Sequence, residues 1–367
     1  MRCRVNPFRS AADVSPADRR AIRRFHQSLQ GYQPTPLVRL ESLAGAIGIG
    51  TLYLKDESAR FGLDAFKGLG ASWAMHRLIQ TSPGLKTVAS ATDGNHGRAV
   101  AWTARRLGLA ARIFMTRHSA PARIEAIRRE GAQVILVDGS YDDAVRICAE
   151  RSAAEGWQVV ADVGYEGYLE IPQWIADGYE TLFAEATEQF EARDWPMPDV
   201  VVLQAGVGGF AAAGVHHFRS RPDPPRIAVV EPVDADPLLT SALTPDGLPA
   251  VSDGSQRSIM ACLNCGTVSL SAWPVLRAGV DVFFSIRDEW AAEAMRRLGW
   301  PVGDDPRVIA GESGSAGLAG LLALQEAPEL VPARDALGLG SSSSVLVVNT
   351  EGATDPESYR RLVGRDP

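Results

Sequence analysis

The sequence predicts an α/β protein built from two open parallel-sheet domains with helices on both faces. Three observations predict it. The chain has 367 residues, more than one hydrophobic core usually organises. From Lys86 onward, short apolar runs alternate with segments of helical length, as parallel strands do when helices connect and cover them. A proline-rich, non-periodic stretch at 193–198 divides that alternation into two series. The division predicts a smaller inserted αβ domain at 77–190 and a larger domain made of 1–76 and 191–367.

The elements follow in order. The first thirty residues are polar and arginine-rich with weak helical periodicity, and read as an arm or docking helix. Prolines at 34 and 36 bias their predecessors to extended backbone. Residues 51–55 alternate like a strand. The first series places strands at 87–90, 111–115, 133–137 and 158–161, and helices at 98–107, 121–130, 142–155 and 172–190. Gly108 and Gly131 stand where helices stop. The second series places strands at 200–203, 226–230, 281–285 and 345–348, and helices at 211–218, 288–298 and 315–325.

Composition limits the function. Hydrophobic residues make up 46%, charged residues 22%, and the net charge is -7. A mildly acidic chain without a basic patch attracts neither nucleic acid nor an anionic membrane. No apolar run follows the arginines of the first ten residues and none is long enough to span a bilayer, so a cytoplasmic protein is expected. Cys262 and Cys265 form a C-x-x-C. A zinc site needs two more ligands, and neither Cys3, Cys148 nor the six histidines supplies a second close pair, so no metal is predicted. Two cysteines near a packed or active-site loop is the preferred reading, with a disulfide as the alternative.

The chemistry centres on residues 61–70, F-G-L-D-A-F-K-G-L-G, in which Lys67 sits among apolar residues and glycines just before a helical segment at 71–80. Burial and the positive end of a helix dipole both lower an amine's pKa, as a nucleophilic or Schiff-base lysine requires. Gly206, Val207, Gly208, Gly209 and Phe210 lie between a strand and a helix, where backbone N–H groups bind an anion. The third glycine of a dinucleotide fingerprint is missing, as is the acidic residue about twenty positions on, so the loop suits a phosphate monoester. A lysine and a one-phosphate loop are the minimal apparatus for pyridoxal phosphate. Thr350, at the end of a buried strand, can offer a neutral hydroxyl to the pyridine nitrogen. Thr92, Asp93, Gly94 and His96 form a turn at a helix start that can hold a substrate carboxylate, while Asn95 can reach the cofactor's ring oxygen.

The blocks A-F-K-G-L-G, A-T-D-G-N-H-G-R-A-V-A-W, Q-A-G-V-G-G-F, V-V-E-P, S-I-M-A-C-L-N-C-G-T, G-E-S-G-S-A-G and N-T-E-G-A-T-D-P follow one another along nearly the whole chain. With them the chain resembles the fold-type II pyridoxal-phosphate enzymes, the tryptophan synthase beta-like family, and within these the diaminopropionate ammonia-lyase branch. The resemblance implies a homodimer that converts 2,3-diaminopropionate, D and/or L, to pyruvate and ammonia by α,β-elimination. It also implies two bases besides Lys67: Asp93 for the D isomer and Asp162 for the L isomer. The chain departs from the resembled pattern at Asp64, Tyr165 and Cys262. The rival readings are a serine or threonine dehydratase, racemase or other β-eliminase on the same scaffold, and a non-catalytic cofactor-binding protein.

Overall fold

The computed structural model describes residues 1–10, 18–92 and 94–367, and of Asp142 the backbone only. The strands are β1 (Cys3–Val5), β2 (Leu37–Arg39), β3 (Thr51–Asp56), β4 (Thr87–Ala91), β5 (Ala110–Thr116), β6 (Gln133–Val137), β7 (Gln158–Val159), β8 (Val200–Gln204), β9 (Arg226–Pro232), β10 (Val282–Ile286) and β11 (Ser344–Asn349). Among the described residues they form a seven-stranded sheet, β1-β10-β9-β8-β11-β3-β2, and a four-stranded sheet, β6-β5-β4-β7. The smaller sheet is parallel throughout, as is the run from β10 to β3 in the larger. The larger sheet departs from parallel pairing at its edges, where β1 and β2 run antiparallel to β10 and β3. Both edge strands have three residues, which leaves few unpaired backbone groups open to another chain.

The central strands follow from their composition. β8 reads V-V-V-L-Q and β11 S-V-L-V-V-N, and every residue of both is buried. Strands covered on both faces carry continuous apolar runs of this kind. Three neighbouring parallel strands, β3, β11 and β8, send their carboxyl ends to the same edge of the sheet. Ligands of open α/β sheets bind at such edges.

Helix Lys67–Thr81 packs against helix Glu170–Glu191, which in turn packs against helix Gly209–Arg219. Two glycines permit the first contact. A Cβ at Gly70 would stand 2.7 Å from the Ile175 carbonyl oxygen, and one at Gly178 2.6 Å from that of Leu69. The polar amino-terminal segment contributes helix Arg19–Ser28, where the fully buried His26 faces the Thr181 hydroxyl at 2.6 Å and the Leu69 carbonyl at 2.9 Å.

Beneath the segment that leads to Lys67 lies a buried ion cluster. Lys55, Glu57, Arg60 and Glu185 are all at most 1% exposed. Glu185 Oε2 accepts from Lys55 Nζ at 2.8 Å and from Arg60 Nη2 at 2.7 Å, and Arg60 also holds Glu57 at 2.7 Å. Four such charges are tolerated inside a protein only when paired and hydrogen-bonded. Between the cluster and Lys67, Phe61 and Asp64 adopt left-handed backbone with φ of 55° each. Asp64 is of a type that tolerates this conformation, and its carboxylate is fixed by Arg98 at 2.8 Å.

Candidate active site

Lys67 is the first residue of helix Lys67–Thr81, so the helix begins four residues earlier than its periodicity suggests. Its ammonium points to Asp162, with Nζ 2.6 Å from Oδ2. Asp162 follows β7, which lies beside β4 in the smaller sheet. Tyr168 secures that segment: its hydroxyl accepts from the Ala161 amide at 3.0 Å and donates to the Val159 carbonyl at 3.1 Å. Burial alone would push the Lys67 ammonium down, as the sequence predicted, but the Asp162 carboxylate outweighs it and the net direction is upward. For Asp162 burial raises the pKa, and the Lys67 ammonium brings it well below the usual carboxylate range. The expected lowered lysine is therefore corrected, because its charged partner lies about a hundred positions away in the chain.

From the end of β4, the Thr92 hydroxyl accepts from the Gly94 and Gly97 amides at 3.0 and 3.1 Å, which closes the turn ahead of helix Asn95–Leu107. Asp93 lies outside the described residues. His96 is buried, with Nε2 2.9 Å from the Val160 carbonyl. That nitrogen must carry the proton, so Nδ1 is an acceptor, and it lies 3.8 Å from Asp162 Oδ2. Burial holds His96 below its ordinary pKa and thus neutral.

On the opposite wall, Gly206–Phe210 leaves β8 and enters helix Gly209–Arg219, whose first amides have no acceptor within the helix. Gly208 has φ of 100°, which few other residues adopt. Thr350 follows β11, and its Oγ1 accepts from Gln204 Nε2 at 2.9 Å. Asn95 donates to Glu351, a carboxylate only 1% exposed, and lies 3.4 Å from Cys262 Sγ.

These groups line one cavity of about 300 Å³. It brings together Lys67, Thr92, Gly94, Asn95, His96, Asp162, the whole of Gly206–Phe210 and Thr350. Cys262 and Cys265 line it too and are not joined by a disulfide. Among the described residues no three histidine, cysteine or carboxylate side chains group as metal ligands would. The site residues not singled out from the sequence are Gln204 and Glu351, while Cys262 and Cys265 stand at the active-site loop expected for them. Gln204 and Glu351 each had a signal, a polar residue ending or following a wholly apolar run.

A family model described as pyridoxal-phosphate dependent enzyme matches residues 28–348. The chain belongs to this family. Within it, the chain is similar to the diaminopropionate ammonia-lyase of Escherichia coli K12, at 40% identity over 95% of this chain and 92% of that one. The Salmonella typhimurium LT2 diaminopropionate ammonia-lyase is 39% identical over 92% and 90% of the two chains. The crystal structure of the Escherichia coli enzyme in complex with an aminoacrylate-PLP azomethine reaction intermediate superposes with a TM-score of 0.91, at 39% identity, covering 98% of this chain and 96% of that one. The tryptophan synthase beta-like, fold-type II architecture expected from the sequence is thus the architecture observed.

The cofactor of this pyridoxal-phosphate-dependent family suits the cavity. A flat ring with one phosphate needs an amine, an anion cradle and polar groups at its rim. Lys67 would supply the amine, and Gly206–Phe210, which lines the cavity at a helix start, the cradle. Two of its glycines are confined: a Cβ at Gly206 would stand 2.9 Å from Cys265 Sγ, and one at Gly208 2.7 Å from Leu276 Cδ1.

Proposed function

We propose that this chain catalyses the α,β-elimination of 2,3-diaminopropionate, D and/or L, to pyruvate and ammonia. The observation that carries the reading is a carboxylate, Asp162, 2.6 Å from Lys67 in a chain 40% identical to a diaminopropionate ammonia-lyase. When bound, pyridoxal phosphate supplies an electron sink for negative charge developing at the substrate's α-carbon.

In this reading Lys67 holds the cofactor and releases it to the substrate amine, while Gly206, Val207, Gly208, Gly209 and Phe210 bind the phosphate. Asn95 and Thr350 hold the ring. Gln204 donates to the Thr350 hydroxyl at 2.9 Å, and that hydroxyl's own proton, now 3.4 Å from the Ser313 carbonyl, would turn to the ring nitrogen. A donor there keeps the ring nitrogen unprotonated, which favours elimination over transamination. Thr92, Asp93, Gly94 and His96 bind the substrate carboxylate. Asp162 takes the α-proton of the L isomer and Asp93 that of the D isomer. His96, neutral and with its Nδ1 lone pair toward Asp162, adds no positive charge that would weaken that base.

The same proposal divides the chain into a larger unit, 1–76 with 191–367, and a smaller inserted one, 77–190, each centred on one of the two sheets. It makes the protein a cytoplasmic homodimer, the dimer resting on the family resemblance. No helix among the described residues is long and apolar enough to cross a membrane. Light scattering on the purified protein checks the dimer.

The deciding experiment measures pyruvate release from D- and L-2,3-diaminopropionate beside D- and L-serine. Faster release from one or both diamino isomers is expected. Faster turnover of serine, or inversion of serine without keto acid, replaces the reading with a dehydratase or a racemase. A cofactor trapped on Lys67 by borohydride, with no turnover of any amino acid, replaces it with a non-catalytic binding protein.

A further inference from the structure

A second and larger cavity, of about 680 Å³, lies outside the first and shares Tyr141, Gln256, Ala261 and Asn264 with it as common wall. Two charged side chains in its lining are buried: Arg123, 8% exposed, and Glu312, 4% exposed. Arg123 Nε has no hydrogen-bond partner among the described residues. The arginine stem lies against the substrate-facing turn, since a Cβ at Gly94 would stand 2.9 Å from Arg123 Cδ. Burial opposes the guanidinium's charge, but Cys262, Glu351, Glu312 and Asp355 outweigh it and hold the proton on. Glu312 touches the Ser358 hydroxyl, yet burial keeps its pKa above the ordinary value. A buried guanidinium with an unpartnered N–H, sharing one chamber with a buried carboxylate it does not pair with, is costly unless something polar fills the space beside it.

We propose that the outer chamber is a waiting site for the zwitterionic amino acid, with Arg123 holding the carboxylate and Glu312 and Asp355 the ammonium groups. The inference rests on the elimination reading for the choice of amino acid, and on the chamber's own charges for the site. Arginine presents a planar fork that suits a carboxylate, and the two carboxylates in the same lining suit a molecule with two amines. The shared wall places such a molecule one step from Lys67.

The test uses holoenzyme reduced with borohydride, which fixes the cofactor on Lys67 and prevents its exchange for an amino acid. Calorimetric titration with L-2,3-diaminopropionate is expected to show one bound equivalent per chain. Propionate, with only the carboxylate, and ethylenediamine, with only the amines, are expected to bind at least roughly tenfold more weakly, as loss of a charged hydrogen bond implies. Arg123→Gln is expected to weaken diaminopropionate binding by a similar factor, Arg123→Lys by less, and Glu312→Gln to weaken diaminopropionate but not propionate. No binding to the reduced wild-type enzyme overturns the proposal without any variant. Equal binding of propionate and diaminopropionate, or Arg123→Gln binding like wild type with an unchanged circular dichroism spectrum, overturns it too. The reaction is judged separately by pyruvate release from unreduced enzyme. Binding without turnover sinks the elimination and leaves the chamber standing, and turnover without binding does the reverse.

Discussion

Replacing Asp162 with asparagine removes the charge that sets the proton affinity of Lys67. At 2.6 Å and an effective dielectric constant of about 20, the attraction is about 6 kcal/mol. The two side chains are 18% and 21% exposed, and desolvating both ions offsets much of that attraction. Without Asp162, burial is the largest influence left on Lys67, so the direction of its shift reverses from raised to lowered. The wild-type lysine stays protonated over a wider pH range, and only the neutral amine captures an aldehyde, so the variant captures pyridoxal phosphate at lower pH. A net change of about 2 kcal/mol corresponds to about thirtyfold in the neutral fraction at fixed pH. The assay follows the visible absorption band that forms when cofactor-free protein is titrated with pyridoxal phosphate across a pH series. The same variant loses the base assigned to the L isomer, a fall of about 10²–10⁴-fold, while the D isomer is expected to lose far less. A capture midpoint that stays put or moves up refutes the electrostatic argument, and equal loss of both isomers refutes the assignment of bases.

Three further outcomes are expected. Glu185→Ala leaves buried Lys55 and Arg60 with only Glu57 as counter-charge, and urea denaturation should show a loss of about 3–5 kcal/mol. His26 is held by burial at a pKa of about 3 against its ordinary 6.5, so it contributes stability that is full above pH 6.5 and is lost as pH falls toward 3. Wild-type unfolding free energy should therefore drop between pH 7 and 4.5 more steeply than that of His26→Gln, with equal slopes counting against it. Thr350→Asp places an acid at the ring nitrogen and should shift products from pyruvate and ammonia toward transamination, read as the aminated cofactor by its absorbance; normal elimination alone would discount the role given to Thr350.

Much of the fold was legible because its central strands are apolar on both faces. The runs at 200–203 and 345–348 mark β8 and β11 to within a residue of their ends. The short edge strands and helices such as Pro237–Leu243 and Val331–Leu337 were not legible, since seven residues or fewer carry too little periodicity. At the site, order along the chain pointed to Lys67, the Thr92 turn, the glycine loop and Thr350, all now found around one cavity. What sequence could not carry were pairings across distance. The Lys67–Asp162 ion pair inverts a local argument from burial and helix dipole, and Glu185 completes a cluster whose other charges lie at 55–60. The C-x-x-C gave position without partner: its cysteines face the cavity, and Cys262 touches Asn95 and Glu351.

The place of β11 in the larger sheet has a consequence for how the protein is made. It is the last strand in the chain, yet it lies between β3 and β8, which are bonded to each other only through it. Until residues 344–349 leave the ribosome, the emerging chain holds two half-sheets with exposed apolar edges, and the lysine and the phosphate loop belong to different halves. Cofactor capture therefore waits for that strand, and the nascent chain that still lacks it is the form most in need of protection from aggregation.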